Sequence, residues 1–168
     1  MRMRAHLGGC IRWIDRSDPD HKHGLEIVRE SVDRLGGEFP PLEKNQGDGA
    51  TATVFLPAQK ISVIGKPGGW PDFNNSFNLN LAVSNFADDF PPHSGIKLEV
   101  RLNVEDDLWI TGKETELTKI LLNLCFNARD SILAAKRDHG MIMIVVTSSA
   151  IPGTAILRVS DNGIGLAL

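Results

Sequence analysis

The amino-acid sequence predicts an α+β domain: a two-layer α/β sandwich with helices on one face of a mixed, mostly antiparallel sheet. Three observations point there. Residues 114–136 carry the strongest helical period, an apolar stripe of Leu117, Ile120, Leu121, Leu124, Ala128 and Ile132. Ile96–Leu102 and Thr51–Leu56 alternate with a period of two, as half-buried strands do. Helical and strand segments interleave along the chain, and a striped helix and a one-faced sheet bury their apolar sides against each other.

The elements follow in order. Leu25, Ile27, Val28, Val32 and Leu35 give a helix over 24–35, which Gly36-Gly37 stop. Pro40-Pro41 hold Glu38–Leu42 to an extended or edge segment, and Asn45–Gly49 is a turn. Thr51–Leu56 is a strand closed by Pro57. Residues 58–76 contain Gly65, Pro67, Gly68, Gly69 and Pro71 and read as a linker. Its 19 residues span on the order of 60 Å when extended, enough to join distant edges of a domain. Residues 77–87, with Phe77, Leu79, Leu81, Ala82 and Phe86, read as a helix. Ile96–Leu102 and Leu108–Thr111 are strands, Glu114–Lys136 is the long helix, and strands Met141–Thr147 and Ala155–Ser160 flank a turn at Pro152-Gly153. The chain thus reads as one domain of 168 residues: a tail over 1–20, a first half over 21–57, the linker, and a second half over 77–168.

Composition narrows the classes. A net charge of −3 and an apolar content of 42 % describe an ordinary globular chain with no footprint for nucleic acid. No apolar run reaches the roughly 20 residues of a membrane span, and no signal-peptide core opens the chain, so a cytoplasmic protein is expected. Cys10 and Cys125 lie far apart, and Cys125, mid-helix among apolar residues, reads as a buried thiol in a reducing compartment.

Two motifs carry chemistry. Asn123 and Asn127, spaced i, i+4, share one face of the long helix, with Asp130 beside them. An amide oxygen suits Mg²⁺, which takes oxygen ligands and keeps water when held through phosphates. Alone, such a pair is more often a solvated helix surface. Asp161-Asn-Gly163-Ile-Gly165 follows a strand, where a carboxylate can accept a hydrogen bond from an adenine amino group and glycines let backbone approach the base. Alone, this is a weak signal and more often a turn.

The order and spacing of these motifs resemble the N box and G1 box of the histidine-kinase-type ATP-binding domain, the GHKL or Bergerat fold of bacterial two-component sensor kinases. The lead-in Ile110-Thr-Gly112, Leu117, Ile120-Leu121, Asn123-Leu124, Asn127-Ala128 is similar to that family. So are Gly24-Leu25-x-Ile27-Val28, Gly36-Gly37 and Gly49-Ala-Thr-Ala-Thr-Val-Phe-Leu56-Pro57. In this chain the half that should come second precedes the first, as in a circular permutation cut at the lid over the nucleotide. The resemblance covers about 20–57 and 77–166. It implies ATP and Mg²⁺ as cofactors, Asn127 as the Mg²⁺ ligand through the phosphates, and Asp161 as the adenine reader with Gly163 and Gly165 shaping its pocket. Gly24 and Leu25 match the end of the G2 box, at a helix N-terminus suited to phosphate. Asn123 stands where related ATPases place a water-activating Glu. An amide is no general base, which favours a kinase-type site that holds ATP without rapid hydrolysis.

The sequence departs from the family at His21-Lys22-His23, where further glycines are usual. Lys22 there is a candidate phosphate contact, and two histidines without a third ligand read as a solvated loop rather than a metal site. Ser131 stands where alanine is common. No helical hairpin bears a phosphoacceptor histidine, so the chain is expected to act as a catalytic half on a histidine domain or response-regulator-type protein in trans. A second reading keeps the fold but not the nucleotide, leaving a docking module for two-component partners. A third completes the two halves by swapping between copies in a homodimer.

Overall fold

A computed structural model of the chain describes residues 24–61, 72, 74–104 and 107–165. The elements run α1 (Gly24–Arg34), β1 (Glu43–Lys44), β2 (Ala50–Pro57), β3 (Gln59–Ile61), β4 (Ser76–Asn78), α2 (Leu79–Asp89), β5 (Ile96–Asn103), β6 (Asp107–Thr111), α3 (Glu114–Ala134), β7 (Gly140–Ser148) and β8 (Thr154–Asp161).

Two sheets form. The larger has five strands in the order β1-β2-β8-β7-β5, and β3-β6-β4 make the smaller. All pairings are antiparallel except β5 with β7, which is parallel. Parallel neighbours need a crossover, and α3 lies on the connection that supplies it. α3 packs on β7 and β8, α1 packs on α3, and α2 packs on β5 and β6. The result is an α+β two-layer sandwich with a mixed, mostly antiparallel main sheet.

Alternation explains the layers. Ile142, Ile144 and Val146 of β7 and Ala155, Leu157 and Val159 of β8 are buried, with Val54 and Leu56 of β2 beside them. From the helices come Val28, Val32, Leu117, Ile120, Leu121, Leu124 and Ile132, in one continuous core.

Three boundaries differ from the sequence expectation, each for a local reason. The Asn78 side chain accepts a hydrogen bond from the Leu81 N–H at 3.0 Å and caps α2, so Phe77 is left in strand β4 rather than in the helix. The long helix ends at Ala134 because Lys136 turns left-handed at φ 51°. The stretch expected as a linker begins and ends in strand: β3 and β4 flank the same strand, β6. Its ends lie two strand spacings apart, about 10 Å, and offset by about 14 Å along β6. The connection joins neighbouring edges, not distant ones.

The two halves close on each other within one chain. β2 pairs with β8 from Thr51↔Ser160 to Pro57↔Thr154. α1 is tied to α3 by Arg34, whose Nη1 donates to both Glu116 carboxylate oxygens at 3.4 and 3.3 Å, while Lys119 Nζ donates to Oε1 at 2.8 Å. Burial pushes the Glu116 carboxyl up, but the hydrogen bond from Lys119, the nearby Ser31 hydroxyl and the charges of Lys119 and Arg34 outweigh it, and the group sits below its ordinary range.

Candidate functional site

A cleft of about 230 Å³ opens where α1, the β1–β2 hairpin, α3 and the end of β8 meet. Leu25, Leu42, Ala52, Leu124, Ala128 and Val159 give it apolar walls. Asn127, Ser131 and Asp161 supply its polar side chains, and Ala50 and Gly165 complete the lining. Residues from both ends of the chain build it, and the β2–β8 pairing is what brings them together.

Asp161 ends β8, beside α3. Its Oδ1 accepts the Gly163 N–H at 2.8 Å and the Ser131 hydroxyl at 3.2 Å. Burial raises the Asp161 carboxyl above its ordinary value, and the hydrogen bonds from Gly163, Ser131 and the Ala50 N–H hold back part of that rise. The backbone of the same residue is held from the other side, since Asn45 Nδ2 donates to Asp161 O at 2.9 Å. Asn45 Oδ1 in turn accepts the Thr51 hydroxyl at 2.7 Å. A half-buried acceptor in an apolar cleft suits a flat ligand with a hydrogen-bond donor at its edge.

The asparagine pair faces α1. Asn123 is 9 % exposed, buried under α1 rather than solvated, and its Nδ2 donates to Lys119 O at 2.8 Å. A Cβ at Gly24 would lie 3.1 Å from Asn123 Oδ1 and 3.7 Å from the Asn127 amide atoms. The first turn of α1, whose N–H groups have no partner within the helix, therefore opens beside two amide side chains. That grouping fits an anion and an oxygen-liganded cation.

Each candidate site residue has a definite place except Lys22, which lies outside the described residues, as do His21, His23, Cys10 and the tail over 1–20. Leu25, Asn127, Asp161 and Gly165 line the cleft, and Gly24 and Asn123 adjoin Asn127. Asp130 is not among the lining residues and pairs with Arg129 at 3.1 Å. A Cβ at Gly163 would collide with Ser131 of α3, so a glycine there seats the Asp161 loop on the helix. The motifs alone name neither Asn45 nor Leu42 as site residues, and they mark Ser131 only as a departure from the family pattern. For Ser131 the signal was available: it falls four residues after Asn127 and so on the same helix face.

Among the described residues, no helix is long and apolar enough to cross a membrane, and no three His, Cys, Asp or Glu side chains gather to hold a metal. Compared with known proteins, the chain matches no protein family, no curated protein and no solved structure.

Proposed function

We propose that this chain is an ATP- and Mg²⁺-binding domain of the sensor-histidine-kinase (GHKL) kind, with the halves of that fold in permuted order. In this reading it serves phosphotransfer signalling by acting on a histidine carried by another domain or protein. The observation that carries the reading is a single apolar cleft lined by both Asn127 and Asp161, with Gly24 and Asn123 adjoining Asn127. Gly24, the Asn123–Asn127 pair and Asp161 come from three segments distant in sequence, and each matches a motif position of the family.

Each group has a part this chain's chemistry supports. Asp161 accepts the base's amino hydrogen. Leu25, Leu42 and Val159 pack on the ring and exclude water. Asn127 would hold the phosphate-bound cation through its amide oxygen, and the α1 N-terminus would bind the phosphates. Bound Mg²⁺–ATP supplies the phosphoryl group and the charge neutralisation that such transfer depends on. Asn123 presents an amide and not a carboxylate, so it cannot itself act as a general base toward water.

The degenerate docking module remains the second reading, and the cleft's size favours it. About 230 Å³ lies below the roughly 300 Å³ at which small-molecule sites usually begin. Transfer of label from γ-labelled ATP to a separate histidine-hairpin domain decides between them. Label that is acid-labile and depends on Asn127 supports the kinase reading. A chain that forms a stable complex with the hairpin but neither binds ATP nor transfers label is the docking module.

A further inference from the structure

We propose that Ser131 is a positioning residue for ligand recognition in the cleft: its hydroxyl, bonded to Asp161 Oδ1, fixes the carboxylate in the orientation that a base's amino group meets. This rests on the nucleotide reading of the site. It adds a member that the resemblance does not supply, since the family commonly carries alanine at this position.

The geometry is specific. Ser131 Oγ donates to Asp161 Oδ1 at 3.2 Å from α3, while the Gly163 N–H reaches the same oxygen at 2.8 Å from the loop. The Ser131 carbonyl accepts the Ile164 N–H at 3.3 Å, and Gly163 packs on the Ser131 side chain. One residue thus holds the loop by its backbone and the carboxylate by its hydroxyl. Without the hydroxyl, the carboxylate keeps the Gly163 and Ala50 N–H groups but loses its link to α3. Ser131 also lines the cleft, so its effect is local to the ligand.

Few other groups compete for this role. The elements around Asp161 carry Asp48, ion-paired with Arg137, on the β1–β2 turn; Asp130, paired with Arg129, on α3; and His139 ahead of β7. None of these charges moves Asp161, whose acidity is set by burial and by hydrogen bonds from Gly163, Ser131 and Ala50. Removing the Ser131 bond takes away a stabiliser of the charged form. The Asp161 midpoint then rises, and a ligand that needs the carboxylate binds less well toward acid pH.

The experiment uses the whole chain and two readouts. The Asp161 side-chain carboxyl is titrated by ¹³C NMR without nucleotide, and Mg²⁺–ATP affinity is measured across pH, in wild type, Ser131→Ala and a control, Ser160→Ala. Ser160 pairs with Thr51 at 2.9 Å beside the site. The expected result is an upward-shifted Asp161 midpoint and affinity reduced by about tenfold in Ser131→Ala, more at lower pH. Ser160→Ala should change neither. An unchanged midpoint and pH profile in folded Ser131→Ala overturns the proposal. If wild type binds no nucleotide while Ser131→Ala still moves the midpoint, the nucleotide reading fails and the coupling of Ser131 to Asp161 stands.

Discussion

Gly24, the first residue of α1, approaches Asn123 of α3 so closely that a Cβ on it would lie 3.1 Å from the Asn123 amide oxygen. Two segments 99 positions apart in sequence meet there, at the end of the cleft assigned to phosphate. Gly24→Ala asks Asn123 to give way by a few tenths of an ångström, and alanine favours the helix by up to about 1 kcal/mol. The expected outcome is a melting temperature that holds or rises while Mg²⁺–ATP affinity falls. Gly24→Val, bulkier and β-branched, should lose the affinity altogether. Thermal shift and calorimetry on the same samples separate the two effects.

Asp161 makes a prediction with a definite sign. Burial raises its carboxyl in the folded protein, so ionised Asp161 works against folding. The stability that depends on it is present below the ordinary Asp value of about 3.9 and declines as pH rises through the folded-state value. Asp161→Asn keeps an acceptor for Gly163 and Ser131 and removes the charge. The melting temperature of the variant relative to wild type should therefore increase from about pH 4 toward pH 7, while nucleotide binding is lost. A variant that melts lower than wild type at every pH would show that the charge supports the fold.

Glu116 behaves in the opposite way. Its hydrogen bonds and charges with Lys119 and Arg34 hold it below its usual range, so it contributes stability above the ordinary Glu value and loses it as pH falls through the folded value. Glu116→Gln should cost about 1–2 kcal/mol at pH 7, with the difference closing in acid. Chemical denaturation at pH 7 and at low pH measures both ends.

Cys125 is fully buried in α3, and burial pushes its thiol up to about 12. A thiol that stays protonated and covered does not react. Cys125 should resist alkylation in the native protein and label fully on unfolding, as read by peptide mass spectrometry. Rapid native labelling would show that α3 opens away from the sheet.

The sheet and the long helix were legible in the sequence because they obey simple periods. The alternation of Ile96–Leu102 and the stripe from Leu117 to Ile132 fix their faces without reference to the rest of the chain. The flanks of the linker were not legible. β3 and β4 are three residues each and exist only because β6 offers them two edges. The site was half legible. Asn127 and Asp161 could be named from their motifs, but the burial of Asn123 depends on α1 packing over it, and the seat of Gly163 on Ser131 depends on the approach of a loop to a helix. Those are facts of tertiary contact, which local periodicity does not contain.

The central claim is that one cleft, assembled from both halves of the chain, holds Mg²⁺–ATP. Its most direct test is calorimetric titration of the purified chain with Mg²⁺–ATP, alongside Asn127→Ala and Asp161→Asn. The account predicts binding in the micromolar to sub-millimolar range, on the order of 5–8 kcal/mol, abolished in both folded variants. Folded wild-type protein that takes up no nucleotide at millimolar ATP contradicts it.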